Sequence, residues 1–185
     1  MYGLVNTAVA DLARAVGGDA TWEAIRTRAQ VSESSFVGMT GYPDEITYRL
    51  VQAASEELQL SVDDVLVAFG RHWVTFTAAQ GWGPLLQAAG GSVAEVLRGL
   101  DALHARVSLT MPELRPPSFR CDELDASSLT LHYYSDRPGL SSMVVGLVEG
   151  LGELLGQVAT ATRTRSTADG ADHDEFLVRH ASRLP

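Results

Sequence analysis

Ser128-Leu129-Thr130-Leu131-His132-Tyr133-Tyr134-Ser135-Asp136-Arg137 is the stretch on which the fold turns, because it breaks from the helical period of everything before it. Side chains alternate along a strand, so Leu129, Leu131, Tyr133, Ser135 and Arg137 share one face and His132 the other. Upstream, Ser118-Phe-Arg-Cys121 is a second strand-like run, joined to the first by the polar segment Asp122 to Ala126. The pair predicts an antiparallel hairpin, closed by Pro138-Gly139. Downstream, Leu140, Met143, Val144, Leu147, Leu151 and Leu154 mark a helix, with Gly146/Gly150 and Gly152/Gly156 allowing close backbone approach. Val158 to Thr162 and Glu175 to Val178, around the turn-like Ala168-Asp-Gly-Ala, add two strands.

Before Pro116-Pro117 the pattern is helical. Leu4, Val5, Ala8, Val9, Leu12 and Val16 recur at helical spacing up to Gly17-Gly18, and Trp22, Ile25 and Ala29 predict a short second helix. After the turn at Tyr42-Pro43-Asp44, Ile46, Leu50, Val51, Ala54 and Leu58 continue the period. Ser61 to Asp64 has capping-box spacing ahead of Val65, Leu66, Phe69, Trp73 and Phe76. The clearest helix runs from Ser92, capped through Glu95, to about Thr110, before Pro112. Along it Val93, Leu97, Leu100, His104 and Val107 form one apolar stripe. The fold class is therefore α+β, an N-terminal helical part followed by an antiparallel sheet of about four strands.

The chain of 185 residues reads as a single domain, 1–185, large enough to enclose a cofactor. Its net charge of −9 comes from 23 acidic residues against 14 basic ones, all arginine. That balance disfavours nucleic acid and anionic lipid as partners. No run approaches the roughly 18 apolar residues of a membrane span, and the opening residues lack a signal peptide's pattern, so a cytoplasmic protein is expected. Cys121 is the sole cysteine. It excludes an internal disulfide and any Cys-based cluster within one chain, and reads as a half-buried hydrophobe.

Two features carry chemistry. His104 is a neutral-pH imidazole on an apolar stripe, more often a core residue than a ligand when taken alone. The face Leu129, Leu131, Tyr133, Ser135, Arg137 runs from apolar to cationic, which suits a ligand with a greasy body and an anionic rim. Haem, with its two propionates, has that shape; an ordinary half-buried strand would show the same spacing.

Leu100-Asp-Ala-Leu-His104, Pro112 to Cys121 and Leu131-His-Tyr-Tyr-Ser-Asp-Arg-Pro-Gly-Leu140 together resemble the haem nitric oxide/oxygen binding (H-NOX) family, as in the haem domain of soluble guanylate cyclase β subunits. The resemblance extends to Met1 to Asn6, Ala53 to Ser55, Phe69-Gly70 and Asp172 to Leu177. It implies a sheet and helices enclosing haem b, with His104 as the proximal iron ligand. Tyr133, Ser135 and Arg137 match the Tyr-x-Ser-x-Arg motif for the propionates, and Pro117 matches the proline that distorts the porphyrin. Leu100 joins the cofactor's contacts, and Leu4, Val5, Phe76, Met143 and Leu147 would form an apolar distal wall.

Oxygen-binding members of the family place a tyrosine over the iron; the matching position here is Met143, or Ser142 if the alignment slips by one. The resemblance thus implies ferrous haem that binds NO tightly and CO more weakly, with no stable oxygen complex. It further implies that NO releases His104, and that the output is a histidine kinase or a cyclic-di-GMP enzyme acting in trans, with no catalytic domain in this chain. The competing readings are a haem enzyme, such as a peroxidase or NO-consuming oxygenase, an oxygen-binding member of the same family, a haem-free interaction domain, or a piece of a larger cyclase or chemoreceptor. His72 is the residue to watch for the enzyme, while His132, His173 and His180 read as structural or solvated.

Overall fold

The computed structural model describes residues 1–182. The chain folds as two compact units, Met1–Phe69 and Gly70–Pro185. Helices make up the first, and helices with a sheet the second, so the α+β reading holds.

In the first unit α1 spans Gly3–Arg28 and α2 spans Asp44–Leu58. Gly17 and Gly18 leave helical geometry, Gly18 at φ +76°, which divides α1 where two helices were expected. Trp22, Ile25, Leu50 and Leu66 are its largest fully buried side chains. The buried Thr47 hydroxyl donates to Asn6 Oδ1 at 2.7 Å, which satisfies the amide oxygen and leaves Asn6 Nδ2 buried without a hydrogen-bond partner. α3, Val62–Thr77, begins in this unit and ends in the next. Its start follows the capping expectation: Ser61 Oγ accepts the Asp64 amide at 3.0 Å, and its hydroxyl donates to the Asp64 carboxylate.

The second unit continues with a π-helical turn at Ala78–Trp82 and α4, Gly83–Ala89. Neither was read from the sequence, which has no clear apolar period there. α5, Val93–Arg98, and α6, Leu100–Ser108, follow. The single helix expected from Ser92 to Thr110 is therefore divided at Gly99, a turn residue at φ −86° and ψ −4° that keeps the bonds Gly99 N–H to Glu95 O and Leu103 N–H to Gly99 O. The Ser92 cap is present, but the Glu95 carboxylate accepts from the Gly91 amide rather than that of Ser92.

β1 (Ser118–Asp125), β2 (Ser128–Tyr134), α7 (Met143–Leu154), β3 (Gln157–Arg165) and β4 (Asp174–Ser182) complete the unit. The strands form one antiparallel sheet in the order β1-β2-β4-β3. Asp122 to Asp125, expected as part of a connection, belong to β1. An edge strand with solvent-facing side chains needs no apolar alternation, so its sequence reads as a loop. The real turn is the pair 126–127, held by the Asp125 carboxylate, which accepts from Ser127 and Ser128.

One sheet face packs inward: Leu129, Leu131, Phe176 and Val178 are fully buried and cluster with Val144, Val148 and Leu151 of α7 and Val93, Val96 and Leu97 of α5. Each such aliphatic side chain stabilises by about 1.5–3 kcal/mol relative to exposure. A Cβ on Gly150 would meet the Arg71 carbonyl at 2.9 Å, so that close approach is real. Gly156 differs from the expectation, since it sits at φ +66° in the turn before β3.

Candidate functional site

α6 presents His104 half-buried among apolar neighbours, one turn after the half-buried Leu100. Burial holds the imidazole below the ordinary histidine value, against the pull of the Asp101 carboxylate and the Pro117 carbonyl. At neutral pH the ring is therefore uncharged and carries a lone pair. Nδ1 is buried with no partner at hydrogen-bond length.

Asp101, three residues before His104, fixes α6 to the sheet. One carboxylate oxygen accepts the Phe119 amide at 2.9 Å and the other accepts the Ser118 hydroxyl at 2.9 Å. The Phe119 ring then lies between His104, 5.9 Å away, and Tyr133, 5.4 Å away, by ring centroids. Neither Asp101 nor Phe119 was singled out in the sequence. The antiparallel register opposes Phe119 to Tyr133, a signal hidden by the misplaced turn.

Tyr133 is 8% exposed, and burial pushes its phenol pKa up. The Ser135 hydroxyl hydrogen-bonds that phenol and the Arg137 guanidinium acts on it electrostatically, both in the opposite direction. Ser135 and Arg137 lie beyond the end of β2, so the loop rather than strand alternation gathers this trio. The Arg137 amide donates to Ser135 Oγ at 3.1 Å, and its guanidinium donates to the Arg115 carbonyl at 2.6 Å. Pro117 is half-buried directly before β1.

Of the expected distal residues, Phe76 is buried near the end of α3, and Met143 and Leu147 are half-buried on the first turns of α7. The Met143 carbonyl would lie only 2.1 Å from a Cβ on Gly70, so α3 and α7 approach closely there. Ser142, the N-cap of α7, is buried. Leu4 and Val5 are half-buried on α1 in the first unit. His72 lies 5.9 Å from Phe76 by ring centroids.

The sequence profile of the Haem-NO-binding family matches residues 2–162. The chain belongs to the Haem-NO-binding family. It is 28% identical over 157 residues to soluble guanylate cyclase gcy-31 of Caenorhabditis elegans, covering 85% of this chain and 22% of that protein. It is 32% identical over 152 residues to gcy-35 of the same organism, covering 80% and 22%. Guanylate cyclase soluble subunit beta-2 of Rattus norvegicus is 37% identical over 90 residues, 49% of this chain and 13% of that one. The chain thus spans about a fifth of the length of the first two relatives.

The fold agrees with this membership in the Haem-NO-binding family. An H-NOX protein from S. oneidensis in the Fe(II)NO ligation state superposes with a TM-score of 0.88 at 20% identity, covering 98% of this chain and 100% of that one. The Fe(II) unliganded H-NOX protein from K. algicida gives 0.83 at 23% identity, covering 100% and 99%. Among the described residues, no helix is long and apolar enough to cross a membrane.

Proposed function

We propose that residues 1–185 act as one haem-based nitric oxide sensor domain in the cytoplasm, regulating a separate histidine kinase or cyclic-di-GMP enzyme and performing no catalysis. The observation that carries the reading is the neutral His104 imidazole, with a buried unpartnered nitrogen, linked through Phe119 to a phenol, a hydroxyl and a guanidinium. A lone pair for a metal beside donors for an anionic edge is the donor set that haem b requires. His104 would ligate the iron, while Tyr133, Ser135 and Arg137 would hold the propionates. Pro117 and Leu100 would lie against the ring, and Leu4, Val5, Phe76, Met143 and Leu147 are carried over as its distal contacts.

Ferrous haem held by His104 would supply the metal chemistry that binds NO or CO. The chain's own part would be to carry a movement of His104 outward. Gly99 separates α5 from α6, the short helix that carries both His104 and Asp101. The two Asp101 bonds to Ser118 and Phe119 then transmit the movement to β1, an edge strand whose outward side chains a partner can read.

Met143 and Ser142 occupy the positions nearest to the family's oxygen-holding tyrosine, and neither offers a phenol. The reduced protein should therefore show a Soret band under argon that changes with NO and with CO. It should show no persistent oxygenated spectrum in air. A colourless protein would overturn haem binding, and a lasting oxygen complex would overturn the choice of gas. Turnover of peroxide or NO would replace the sensor with an enzyme.

A further inference from the structure

The outer face of the sheet carries a second histidine centre, unrelated to His104. His132 of β2 stands directly across from Glu175 of β4, and His173 precedes that strand. His132 Nδ1 faces His173 Nε2 at 2.8 Å, and Glu175 Oε1 lies 3.8 Å from the first and 3.4 Å from the second. A point equidistant from the three atoms lies about 2.0 Å from each, the bond length zinc takes with imidazole nitrogen and carboxylate oxygen.

The outer ring nitrogens are also spoken for. His132 Nε2 meets the Asp122 carboxylate at 3.0 Å, and His173 Nδ1 meets the Asp172 carboxylate at 2.9 Å. Carboxylates behind both imidazoles are the usual support of metal-bound histidines. With each ring proton donated outward to its carboxylate, two lone pairs would face each other at 2.8 Å, an arrangement that a cation between them relieves. Both imidazoles are 7% exposed, and the Tyr134 ring stacks on His173 at 4.3 Å, which fixes its plane.

Two arginines temper the field. Arg165 donates to Glu175 Oε1 at 3.1 Å and lies 3.5 Å from Asp172, while Arg120 pairs with Asp122 at 3.0 Å. Three carboxylates against two guanidiniums leave the cluster net negative when the imidazoles are neutral, as a divalent cation requires. We propose that His132, His173 and Glu175 form a binding site for a divalent transition metal of the zinc class, with one coordination position left for water or an external ligand. Nitrogen-rich, thiol-free donors exclude calcium and magnesium as preferred occupants.

The metal-free rivals are a proton shared between the imidazoles, or an inward ring proton on His132 with Arg120, 3.3 Å from Nε2, donating to that nitrogen. The test is zinc titration of the full chain after chelator treatment, with zinc and iron counted separately. One zinc per chain is expected beyond any iron. His173→Gln and Glu175→Gln should weaken binding at least tenfold, and Asp122→Asn, on an exposed edge and outside the ligand set, by about tenfold. Because a ligand variant can lose its fold, 15N spectra of the unsubstituted protein serve as the second readout. Zinc should shift His132 Nδ1 and His173 Nε2 and leave the His104 nitrogens in place. Absence of stoichiometric zinc, equal zinc in all variants, or a shift confined to His104 would each overturn the site.

Discussion

On the inner face of β2, Leu129 and Leu131 are wholly buried and Tyr133 nearly so, while on its outer face the neighbouring His132 sits among Asp122, Arg120, His173 and Glu175. The inner face removes water and leaves its polar groups to act through burial: it pushes the Cys121 thiol up to about 11 and raises the Tyr133 phenol. The outer face pairs its ionisable groups with one another. One strand thereby divides two chemistries by period alone, and a slip of a single residue in register would exchange them.

The sharpest way to break this contrast is to compare adjacent positions. Leu131→Ala should cost about 2–5 kcal/mol, because a fully buried leucine leaves a cavity. Thr130→Ala, half-buried on the other face, should cost about 1 kcal/mol or less. Equal losses in denaturant unfolding would contradict the division.

Cys121 tests the inner face by reactivity. With its pKa at about 11 rather than 9.0, the thiolate at pH 8 is roughly a hundredfold scarcer, so alkylation should be slow and rise tenfold per pH unit to pH 10. A plateau near pH 9 would show that the thiol is not desolvated. A smaller effect is expected from Tyr133→Phe, which removes the phenol but keeps the ring against Phe119; haem should be lost to a competing apoprotein several-fold faster. An unchanged rate would remove Tyr133 from the propionate contacts.

The smallest effect belongs to the turn. Hydrogen bonds from the Ser128 hydroxyl and from Ser127 hold the Asp125 carboxyl at about 2, below its ordinary value of 3.8. Its contribution is thus present above pH 3.8 and lost as the pH falls through about 2. Asp125→Ala should flatten acid unfolding in that window, and an unaltered profile would refute the assignment.

Much of this arrangement was legible in the sequence. The alternation of Leu129, Leu131 and Tyr133 marks the inner face, and the stripe through His104 marks the helix, since both follow from the period of buried side chains. The matched motif added roles that spacing alone leaves open for Tyr133, Ser135 and Arg137. The break at Gly99 was not legible, because one interior glycine costs only about 1 kcal/mol and helices tolerate it. β1 was cut short because its edge position frees Asp122 to Asp125 from apolar patterning. The pairing of His132 with His173 was missed as well: it depends on β2 lying beside β4, a long-range choice that no local pattern specifies.

The central claim is that the His104 imidazole ligates iron. Resonance Raman of the reduced, gas-free protein tests it directly, with the histidine nitrogens labelled with 15N. Ligation by His104 predicts an iron–imidazole stretch that shifts with the label, disappears in His104→Gly and returns when free imidazole is added. A label-sensitive stretch that survives His104→Gly without added imidazole would contradict it.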